Sequence, residues 1–331
     1  MQRRHWIRAA TIAALAGTLA APAFAQTKEK VVLLLNWYVY SEHAPFFLGK
    51  EKGYYDAEGI DLEIQEGRGS AVSVQAVAAG SATFGYVDVP TMIRAASKGA
   101  PVKAVGVALQ TSAMSVMGLS EKNVKVPKDI VGKTIAMTPG DSMSQIWPLF
   151  MKKTGLAEGQ YKVVSGDGQT KLNAVINGQA DLLLGYLMDQ NIKIQDATKK
   201  PVSVIRFADY GVNLISSGIV ASKDTLATKG DMVKRFMRAS TRALEDAEKN
   251  PEAAVDAMLK ANTKAGQRET LIIGMKLTAP LYHTEETKAL RPFRVSMKNV
   301  NESLDLLVQY GGMDPATRGK AEDWVTLEYL P

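Results

Sequence analysis

Apolar and polar positions follow one another along the chain in a repeating strand–loop–helix pattern. Residues 31–35 are uniformly apolar and predict a buried strand of a parallel sheet. A polar and aromatic stretch follows at 36–43, and Pro45 can then begin a helix that Gly53 ends. Residues 60–65 alternate apolar and polar side chains, as in a half-buried strand. The first strand therefore ends in rings and hydrogen-bonding groups, at the edge where open α/β sheets bind ligands.

The same pattern recurs along most of the chain. Further strands are predicted at 82–87, 102–108, 134–138, 161–164, 180–186, 202–207 and 217–222. Helices are predicted between them, and from residue 224 onward the chain is chiefly helical. This alternation predicts an α/β fold with a mostly parallel sheet and helices on both faces. A polar stretch at 120–133 divides the strands into two sets, so we expect two α/β lobes with a ligand cleft between them.

The first 25 residues have the features of a secretory signal peptide. Arg3, Arg4 and Arg8 supply a positive start, residues 9–20 are apolar, and residues 23–25 form a small-x-small cleavage site. A membrane-spanning helix is the alternative, but the apolar stretch is too short, and no later stretch approaches about 18 apolar residues. We therefore predict cleavage after residue 25 and a soluble protein in the periplasm of a Gram-negative cell.

Charge and composition exclude several functions. The formal net charge of +6 comes from 40 basic and 34 acidic residues, and it falls to +3 without the three arginines of the signal peptide. So small a charge argues against a nucleic-acid partner. The chain has no cysteine, which excludes disulfides, a thiol nucleophile and a lipid-anchored N-terminal cysteine. Only His43 and His283 follow the signal peptide, so we predict no metal site, and we expect no cofactor.

The loop at 36–43 is the first candidate binding site. Flat rings beside hydrogen-bonding groups suit a planar or aromatic ligand, because stacking supplies contact area and the polar groups fix orientation. Packing in the core is the alternative, and we favour it for Tyr38, Phe46 and Phe47. The candidate ligand-binding residues of this loop are Asn36, Trp37, Tyr40 and His43.

Three glycine-containing turns stand at strand-to-helix junctions, at 67–70, 139–142 and 166–169. Each could present backbone N–H groups and a helix N-terminus to a ligand. An ordinary capped turn is the alternative for each. The first turn lacks the third glycine of the dinucleotide fingerprint, since Val72 stands at that position. The turns contribute these candidate ligand-binding residues: Arg68, Gly69, Ser70, Gly140, Asp141, Ser142 and Gln169.

Acidic residues also follow predicted strands. Asp88, Asp141, Asp167 and Asp189 lie at loop positions, but nothing in the sequence places two of them together for acid–base chemistry. Helix capping and solvent exposure are the alternatives. Asp189 comes shortly after Tyr186 and an apolar strand, where a carboxylate beside a ring could accept hydrogen bonds from an amino-substituted heterocycle. Asp88, Tyr186 and Asp189 therefore join the candidates.

Several longer motifs identify a family. They are HAPFF at 43–47, LGKEKGYYDAEGIDLEI at 48–64, VQAVAAGSATFGYVD at 74–88, DIVGKTIAM at 129–137, AVINGQADLLLGY at 174–186 and SGIVASKD at 217–224. With these motifs the chain resembles, over essentially residues 30–328, the periplasmic substrate-binding proteins of ABC importers. The resemblance is to the branch that serves nitrate, sulfonates, taurine and thiamine pyrimidine precursors.

Within that family, Trp37 followed by His43-Ala44-Pro45 is most similar to members that bind formylaminopyrimidine or related heterocycles. In those members, rings of the first loop and an acidic residue after a Gly-Tyr strand contact the ligand. The matching positions here are Trp37, Tyr40, His43, Tyr86, Tyr186 and Asp189. The chain departs from that pattern at 38–42, where those members have a proline- and asparagine-containing loop, and at Asp189, where they usually have glutamate.

The resemblance implies a type II periplasmic binding fold, in which two lobes joined by two crossing strands close around a ligand. The implied boundaries are 1–25 for the signal peptide, 26–111 and 222–331 for the first lobe, and 112–221 for the second lobe. The implied function is not enzymatic: a monomer binds a small planar nitrogenous compound, like a thiamine pyrimidine precursor, and delivers it to an ABC permease of the inner membrane.

Two alternatives follow from the same resemblance. In the first, the ligand is a sulfonate, taurine, nitrate or an aromatic carboxylate, held by Arg68, Lys171 and helix N-termini. In the second, the chain is a pyrimidine synthase of the same fold. That synthase depends on a cysteine-rich motif, and this chain contains no cysteine.

Overall fold

The computed structural model describes residues 27–331, so the predicted signal peptide lies outside the described residues. Within them the strands are β1 Glu29–Leu34, β2 Ile60–Gln65, β3 Phe84–Asp88, β4 Val102–Val107, β5 Met114–Leu119, β6 Thr134–Met137, β7 Lys162–Ser165, β8 Leu182–Tyr186, β9 Val202–Arg206 and β10 Ser217–Ser222. The helices are α1 Ala44–Glu51, α2 Tyr54–Ala57, α3 Ser70–Ala78, α4 Val89–Ala96, α5 Ser142–Thr154, α6 Gly168–Ile176, α7 Gln190–Thr198, α8 Lys223–Thr228, α9 Gly230–Lys249, α10 Pro251–Ala261, α11 Arg268–Thr278, α12 Met297–Gln309 and α13 Ala321–Trp324.

The strands form two sheets of five, with the orders β2-β1-β3-β10-β4 and β7-β6-β8-β5-β9. In the first sheet, β1 runs parallel to β2 and β3, whereas β10 runs antiparallel to β3 and β4. In the second sheet, β5 is the strand that runs antiparallel to both of its neighbours, β8 and β9. Each sheet is therefore mixed: four of its five strands run in one direction, as a mostly parallel sheet requires, and the strand that follows each passage between the sheets runs against them.

Each sheet is the centre of one lobe. The chain passes between the lobes twice. Residues 108–113 lead from β4 to β5, and residues 207–216 lead from β9 back to β10. β10 pairs with β3 and β4, so the second lobe ends before residue 217 and not at the predicted residue 221. The local sequence of β10 could not settle this, because all six of its residues are buried and apolar or small, which suits either sheet.

Acidic residues at strand ends begin several helices. The side chains of Asp88, Asp141 and Asp167 each accept a hydrogen bond from the backbone N–H three residues further on, at the starts of α4, α5 and α6. This is the N-cap arrangement, which satisfies a backbone donor that the helix itself leaves unpaired. The capping alternative therefore holds for these three aspartates, and it fixes the loops that follow β3, β6 and β7.

The helical tail packs against both lobes. Phe236 of α9 stacks on Phe84 of the first sheet, with ring centroids 4.1 Å apart. On another side, the guanidinium of Arg94 donates to the carbonyl of Gly311 beyond α12 (2.7 Å) and to that of Gln145 in the second lobe (3.2 Å). The Lys152 ammonium of the second lobe donates to the carbonyl of Gln309 in α12 (2.9 Å), so the tail contacts both lobes. Among the described residues, no helix is both long and apolar enough to cross a membrane.

Candidate ligand-binding cavity between the lobes

A cavity with an empty volume of about 350 Å³ lies between the two lobes. The first lobe contributes Asn36, Trp37, Tyr40, Gly69 and Ser70, from the loops that follow β1 and β2. The second lobe contributes Asp141, Ser142, Met143, Lys171, Gly185, Tyr186, Asp189 and Gln190. Loops far apart in the chain therefore meet at one cavity, at the carboxyl ends of strands of both sheets.

The predicted site residues divide into two groups. Nine of them line the cavity: Asn36, Trp37, Tyr40, Gly69, Ser70, Asp141, Ser142, Tyr186 and Asp189. The other six do not: His43, Arg68, Tyr86, Asp88, Gly140 and Gln169. Arg68 and Gln169 are exposed on the outside of the turns that carry them. The remaining four are close to the cavity wall without forming its surface.

His43 is fully buried behind the wall and orients Asn36. Its Nε2 lies 2.8 Å from the Asn36 Oδ1, and its Nδ1 lies 3.4 Å from the backbone N–H of Tyr40. Burial lowers the pKa of His43 to about 3, so the ring is neutral. Nδ1 faces a donor and therefore accepts, which leaves the proton on Nε2 to be donated to Asn36. The Asn36 amide is then turned so that its NH₂ group is free to donate to a ligand.

His43 should make the protein less stable as the pH falls. The pKa of His43 is about 6.5 in the unfolded chain and about 3 in the folded protein, so between these values the unfolded state binds more protons. The stability that the neutral ring contributes is complete above pH ~6.5 and is lost toward pH ~3, at about 1.4 kcal/mol per pH unit. Urea unfolding of wild type and of His43→Gln at several pH values measures this slope.

The comparison between variants isolates His43 from other titrating groups. His43→Gln keeps a donor amide but cannot titrate, so its stability should fall less steeply with acid than that of wild type. His283→Gln is the matched control, because His283 lies at the Glu248 side chain, away from the cavity, and is partly exposed. Equal pH slopes for wild type and His43→Gln would contradict the assignment.

Three aromatic rings line the cavity: Trp37, Tyr40 and Tyr186. The hydroxyl groups of the two tyrosines are held by neighbours, that of Tyr40 by the carboxylate of Glu42 and that of Tyr186 by Ser142 (3.1 Å). The indole Nε1–H of Trp37 is buried and has no hydrogen-bond partner among the described residues. Because a buried N–H without a partner is costly, Trp37 can donate a hydrogen bond to an acceptor atom of a ligand, and its ring offers a stacking face.

Tyr38 was assigned to the core but reaches across the cleft. Its hydroxyl group donates to Asp189 Oδ2 of the second lobe at 2.5 Å. Burial, and after it the negative charge of Asp189, raises the pKa of Tyr38 well above 10, so the phenol stays protonated as a donor. A second bond crosses nearby, from Ser41 Oγ to the carbonyl of Met188 (3.2 Å). The aromatic loop of the first lobe is therefore fastened to the start of α7.

Asp189 lines the cavity, but the protein itself already supplies three donors to its carboxylate. Oδ2 accepts from Tyr38 and from the side-chain amide of Gln190 (2.6 Å), and Oδ1 pairs with the Lys193 ammonium at 2.8 Å. A carboxylate has about four lone-pair positions, so room for a ligand donor is limited. The geometry therefore gives Asp189 a part in joining the lobes in addition to the predicted contact with a ligand.

A buried ion pair lies at the other side of the cavity. The Lys171 ammonium is 3.1 Å from Asp141 Oδ2 and donates to the carbonyl of Leu184 at 2.9 Å. It also lies 5.0 Å from the centroid of the Trp37 ring, close enough for a cation–π contact. The Lys171 side chain is only 2% exposed, so the pair is removed from water.

Gly69 of the first lobe lies directly against Gly140 of the second lobe. A Cβ atom placed on Gly69 would lie 2.8 Å from the carbonyl oxygen of Gly140, which is too short for a real contact. Gly69 also has a φ of +130°, a conformation that side chains other than glycine's rarely adopt. Glycine is therefore required here both by the backbone and by the opposite lobe.

Two predicted residues lie one layer behind the cavity. Tyr86 donates its hydroxyl proton to Glu42 Oε1 (2.8 Å), and its ring packs edge-on against His43 with centroids 5.7 Å apart. Asp88 caps α4, and its backbone N–H donates to Ser70 Oγ at 3.0 Å. Both residues are at most 1% exposed, so they support the residues that form the wall.

Four residues line the cavity but are not among those that the sequence predicts to contact a planar ligand: Met143, Lys171, Gly185 and Gln190. Met143, Gly185 and Gln190 each adjoin a predicted residue and could have been found by extending the strand-end loops by one position. The sequence predicts a role for Lys171 only with an anionic ligand. Its side chain enters the cavity from the first turn of α6, and no local pattern distinguishes it from the exposed lysines of other helices.

Two mixed α/β sheets with a cavity between them are the architecture of the periplasmic-binding-protein fold. The alkanesulfonate-binding protein SsuA from Xanthomonas axonopodis pv. citri, solved bound to MOPS, has this fold with a TM-score of 0.68. The match covers 90% of this chain and 98% of that chain at 15% sequence identity. The predicted fold class is therefore confirmed.

The chain belongs to the NMT1/THI5-like family, whose pattern its residues 40–254 match. It is 25% identical over 300 residues to the formylaminopyrimidine-binding protein of Halalkalibacterium halodurans, covering 90% of this chain and 84% of the relative. It is also 24% identical over 290 residues to a 4-amino-5-hydroxymethyl-2-methylpyrimidine phosphate synthase of Legionella pneumophila, covering 87% of each chain. The predicted resemblance is confirmed, and the relatives of this chain include a protein named as a binder and one named as an enzyme.

Proposed function

We propose that this protein is the ligand-binding component of a periplasmic ABC import system, exported by residues 1–25. It binds a small planar nitrogenous compound, like a thiamine pyrimidine precursor, and as a monomer delivers it to a membrane permease. The observation that carries the proposal is a cavity between two lobes in which Trp37, Tyr40 and Tyr186 stand beside the amide of Asn36. Rings supply stacking area and the amide fixes orientation, as recognition of a polar heterocycle requires.

The charges around the cavity favour a heterocycle over a sulfonate, nitrate or carboxylate. Arg68, which the anionic alternative requires, is exposed and does not line the cavity. Lys171 does line it, but its ammonium is already held by Asp141 and by the carbonyl of Leu184. An anion would have to compete with Asp141 for that ammonium, and it would also meet the carboxylate of Asp189.

Binding without catalysis is the better-supported activity, although some relatives are named as synthases. The synthase that this chain resembles depends on a cysteine-rich motif for its activity. This chain has no cysteine. The carboxylates of Asp141 and Asp189 that line the cavity are engaged by Lys171, Lys193 and Tyr38, which suits a structural role better than proton transfer. A purified protein that returns its bound ligand unchanged, by mass spectrometry, would support binding alone.

A ligand screen by thermal shift tests the proposal. We expect substituted 4-aminopyrimidines to raise the melting temperature, since a ligand at 100 times its Kd stabilises the folded state by about 2.7 kcal/mol. Taurine, nitrate and benzoate at the same concentration should give no shift. Native mass spectrometry of protein purified from its own host would identify a co-purified ligand. A shift with taurine or nitrate and none with aminopyrimidines would select the anionic alternative.

Replacing Trp37 with alanine should weaken ligand binding by ~1–3 kcal/mol, the usual cost of losing a stacked ring in a buried site. Calorimetric titration with an aminopyrimidine that passes the screen measures the loss. Trp324→Ala is the matched control, because Trp324 lies on α13 with its indole N–H bonded to the carbonyl of Arg318, away from the cavity. Unchanged affinity in Trp37→Ala would refute the stacking role.

A further inference from the structure

The second lobe contacts the Trp37 ring at Gly168, the first residue of α6. Gly168 is buried and is not among the residues that line the cavity. A Cβ atom placed on Gly168 would lie 2.7 Å from Cζ2 of Trp37 and 2.8 Å from Cε1 of Tyr38, both too short for real contacts. Only a glycine at this position therefore lets α6 approach the two rings so closely.

The backbone around Trp37 is fixed to the first lobe. The Trp37 carbonyl accepts a hydrogen bond from the backbone N–H of Gly67 (3.1 Å), and the N–H of Val39 donates to Glu66 Oε1 (3.1 Å). The indole N–H, in contrast, makes no hydrogen bond within the described chain. The ring lines the cavity and also touches Gly168, so its position depends on the groups packed around it.

The neighbouring Tyr38 ring is held more firmly. Its hydroxyl group donates to Asp189 Oδ2 (2.5 Å) and accepts from Gln190 Nε2 (3.1 Å), and both partners belong to the second lobe. The centroids of the Trp37 and Tyr38 rings are 5.6 Å apart. An atom added at Gly168 would therefore displace Trp37 rather than Tyr38, and the free space beside Trp37 is the cavity.

Helix α6 is itself held in place. Asp167 caps its N-terminus by accepting from the backbone N–H of Thr170 at 2.8 Å. One turn further along, Lys171 is paired with the buried Asp141, and its ammonium lies 5.0 Å from the centroid of the Trp37 ring. The helix thus contacts the ring at two residues, and neither contact can easily withdraw.

We propose that Gly168 is the positioning residue through which the second lobe sets Trp37 against a ligand. The inference rests on the proposed function, in which Trp37 stacks on a planar ligand, and adds a residue that controls affinity without touching that ligand. In the closed protein the ring is held between the backbone of Gly168 and the ligand. A ligand that stacks on Trp37 therefore also supports the contact between the two lobes.

Replacing Gly168 with alanine should lower the affinity for 4-amino-2-methylpyrimidine on the order of tenfold, the scale of overpacking a fitted site. Gly230→Ala is the matched control. Gly230 is likewise the first residue of a helix, α9, and neither glycine has a positive φ. Its Cβ would lie 3.5 Å from the Tyr329 ring, an ordinary contact. Calorimetric titration should therefore give wild-type affinity for the control.

Tryptophan fluorescence separates a displaced Trp37 from a general loss of structure. The part of the ligand-induced change in emission that disappears in Trp37→Phe belongs to Trp37. At saturating ligand, where lower affinity no longer matters, this change should be smaller in Gly168→Ala, because the ring cannot reach its stacked position. It should be unchanged in Gly230→Ala, and circular dichroism verifies that the variants are folded.

A double variant shows that the effect passes through Trp37. Phenylalanine is smaller than tryptophan and lacks Cζ2, so Trp37→Phe gives room to a methyl group at position 168. Effects of residues in contact are not additive, whereas those of independent sites are. Gly168→Ala should therefore cost less affinity in the Trp37→Phe background than in wild type. If Gly168→Ala alone does not fold, the double variant should.

Three results would overturn the inference and leave the proposed function intact. The first is wild-type affinity, or an unchanged Trp37 emission change, in Gly168→Ala. The second is an equal loss of affinity from Gly168→Ala in the two backgrounds. The third is a double variant that is no better folded than an unfolded Gly168→Ala. Failure of the wild-type protein to bind this or any other aminopyrimidine would instead refute the proposed function.

Discussion

Replacing Gly69 with alanine should lower ligand affinity by about 100-fold, because the new methyl group would hold the two lobes apart. A Cβ atom at this position would lie 2.8 Å from the backbone carbonyl of Gly140 in the opposite lobe, and backbone cannot move aside as a flexible side chain can. The conformation of Gly69, φ +130° and ψ 144°, is also one that glycine alone adopts readily. When binding requires the closed state, the apparent affinity falls with the fraction of molecules that can close.

Gly80→Ala separates the clash from backbone strain. Gly80 also has a positive φ, +74°, but no atom lies within 4 Å of the position that a Cβ would take. Both variants should lose some stability, about 1 kcal/mol for an alanine forced to positive φ. Only Gly69→Ala should lose affinity in calorimetry, and small-angle X-ray scattering should show it more extended with ligand present. Equal losses of affinity in the two variants would mean that closure is not what Gly69 permits.

Replacing Lys171 with methionine should lower the free energy of unfolding by about 3–5 kcal/mol, the usual cost of removing one partner of a buried ion pair. The side chains of Lys171 and Asp141 are 2% and 6% exposed, so neither charge is screened by water. Methionine leaves the Asp141 carboxylate buried without its cation, and it also leaves the carbonyl of Leu184 without a donor. Urea unfolding at pH 7 measures the loss.

A second substitution shows that the loss comes from the unpaired charge. Asn at position 141 can still cap α5 through Ser144, as Asp141 does, but carries no charge. The double variant Lys171→Met with Asp141→Asn should therefore recover most of the stability. Lys122→Met is a control, because its pair with Asp181 is partly exposed and should be worth ~1 kcal/mol or less. A double variant no more stable than Lys171→Met would contradict this account.

The sequence predicts where the strands end. From these positions it also predicts most of the cavity residues that lie in the first loop and in the glycine-containing turns. Trp37, Gly69, Ser142 and Asp189 were assigned to one cleft from their positions after predicted strands, and all four line one cavity. The prediction succeeded because strand periodicity is local, and because the carboxyl ends of neighbouring strands share one edge of a sheet.

Other features could not be predicted from local pattern. The sequence does not predict β5, because its residues MSVMGL include one β-branched side chain, Val116, and do not alternate regularly between apolar and polar. The Tyr38 side chain was assigned to the core, yet its hydroxyl group bonds to a residue 151 positions away. Arg68 and Gln169 belong to the predicted turns, but their side chains point to solvent. Which side of a turn faces the cleft depends on the opposite lobe, about which the turn's own sequence says nothing.

The sequence by itself determined the alternation of strands and helices, the capping aspartates and the family, because each of these depends on neighbours within a few residues along the chain. Only the tertiary structure decided that β10 returns to the first sheet, that Lys171 pairs with Asp141, and that Gly168 lies against the Trp37 ring. These are properties of groups brought together from distant positions in a medium of low dielectric, where the energy of a charge is set by whatever surrounds it.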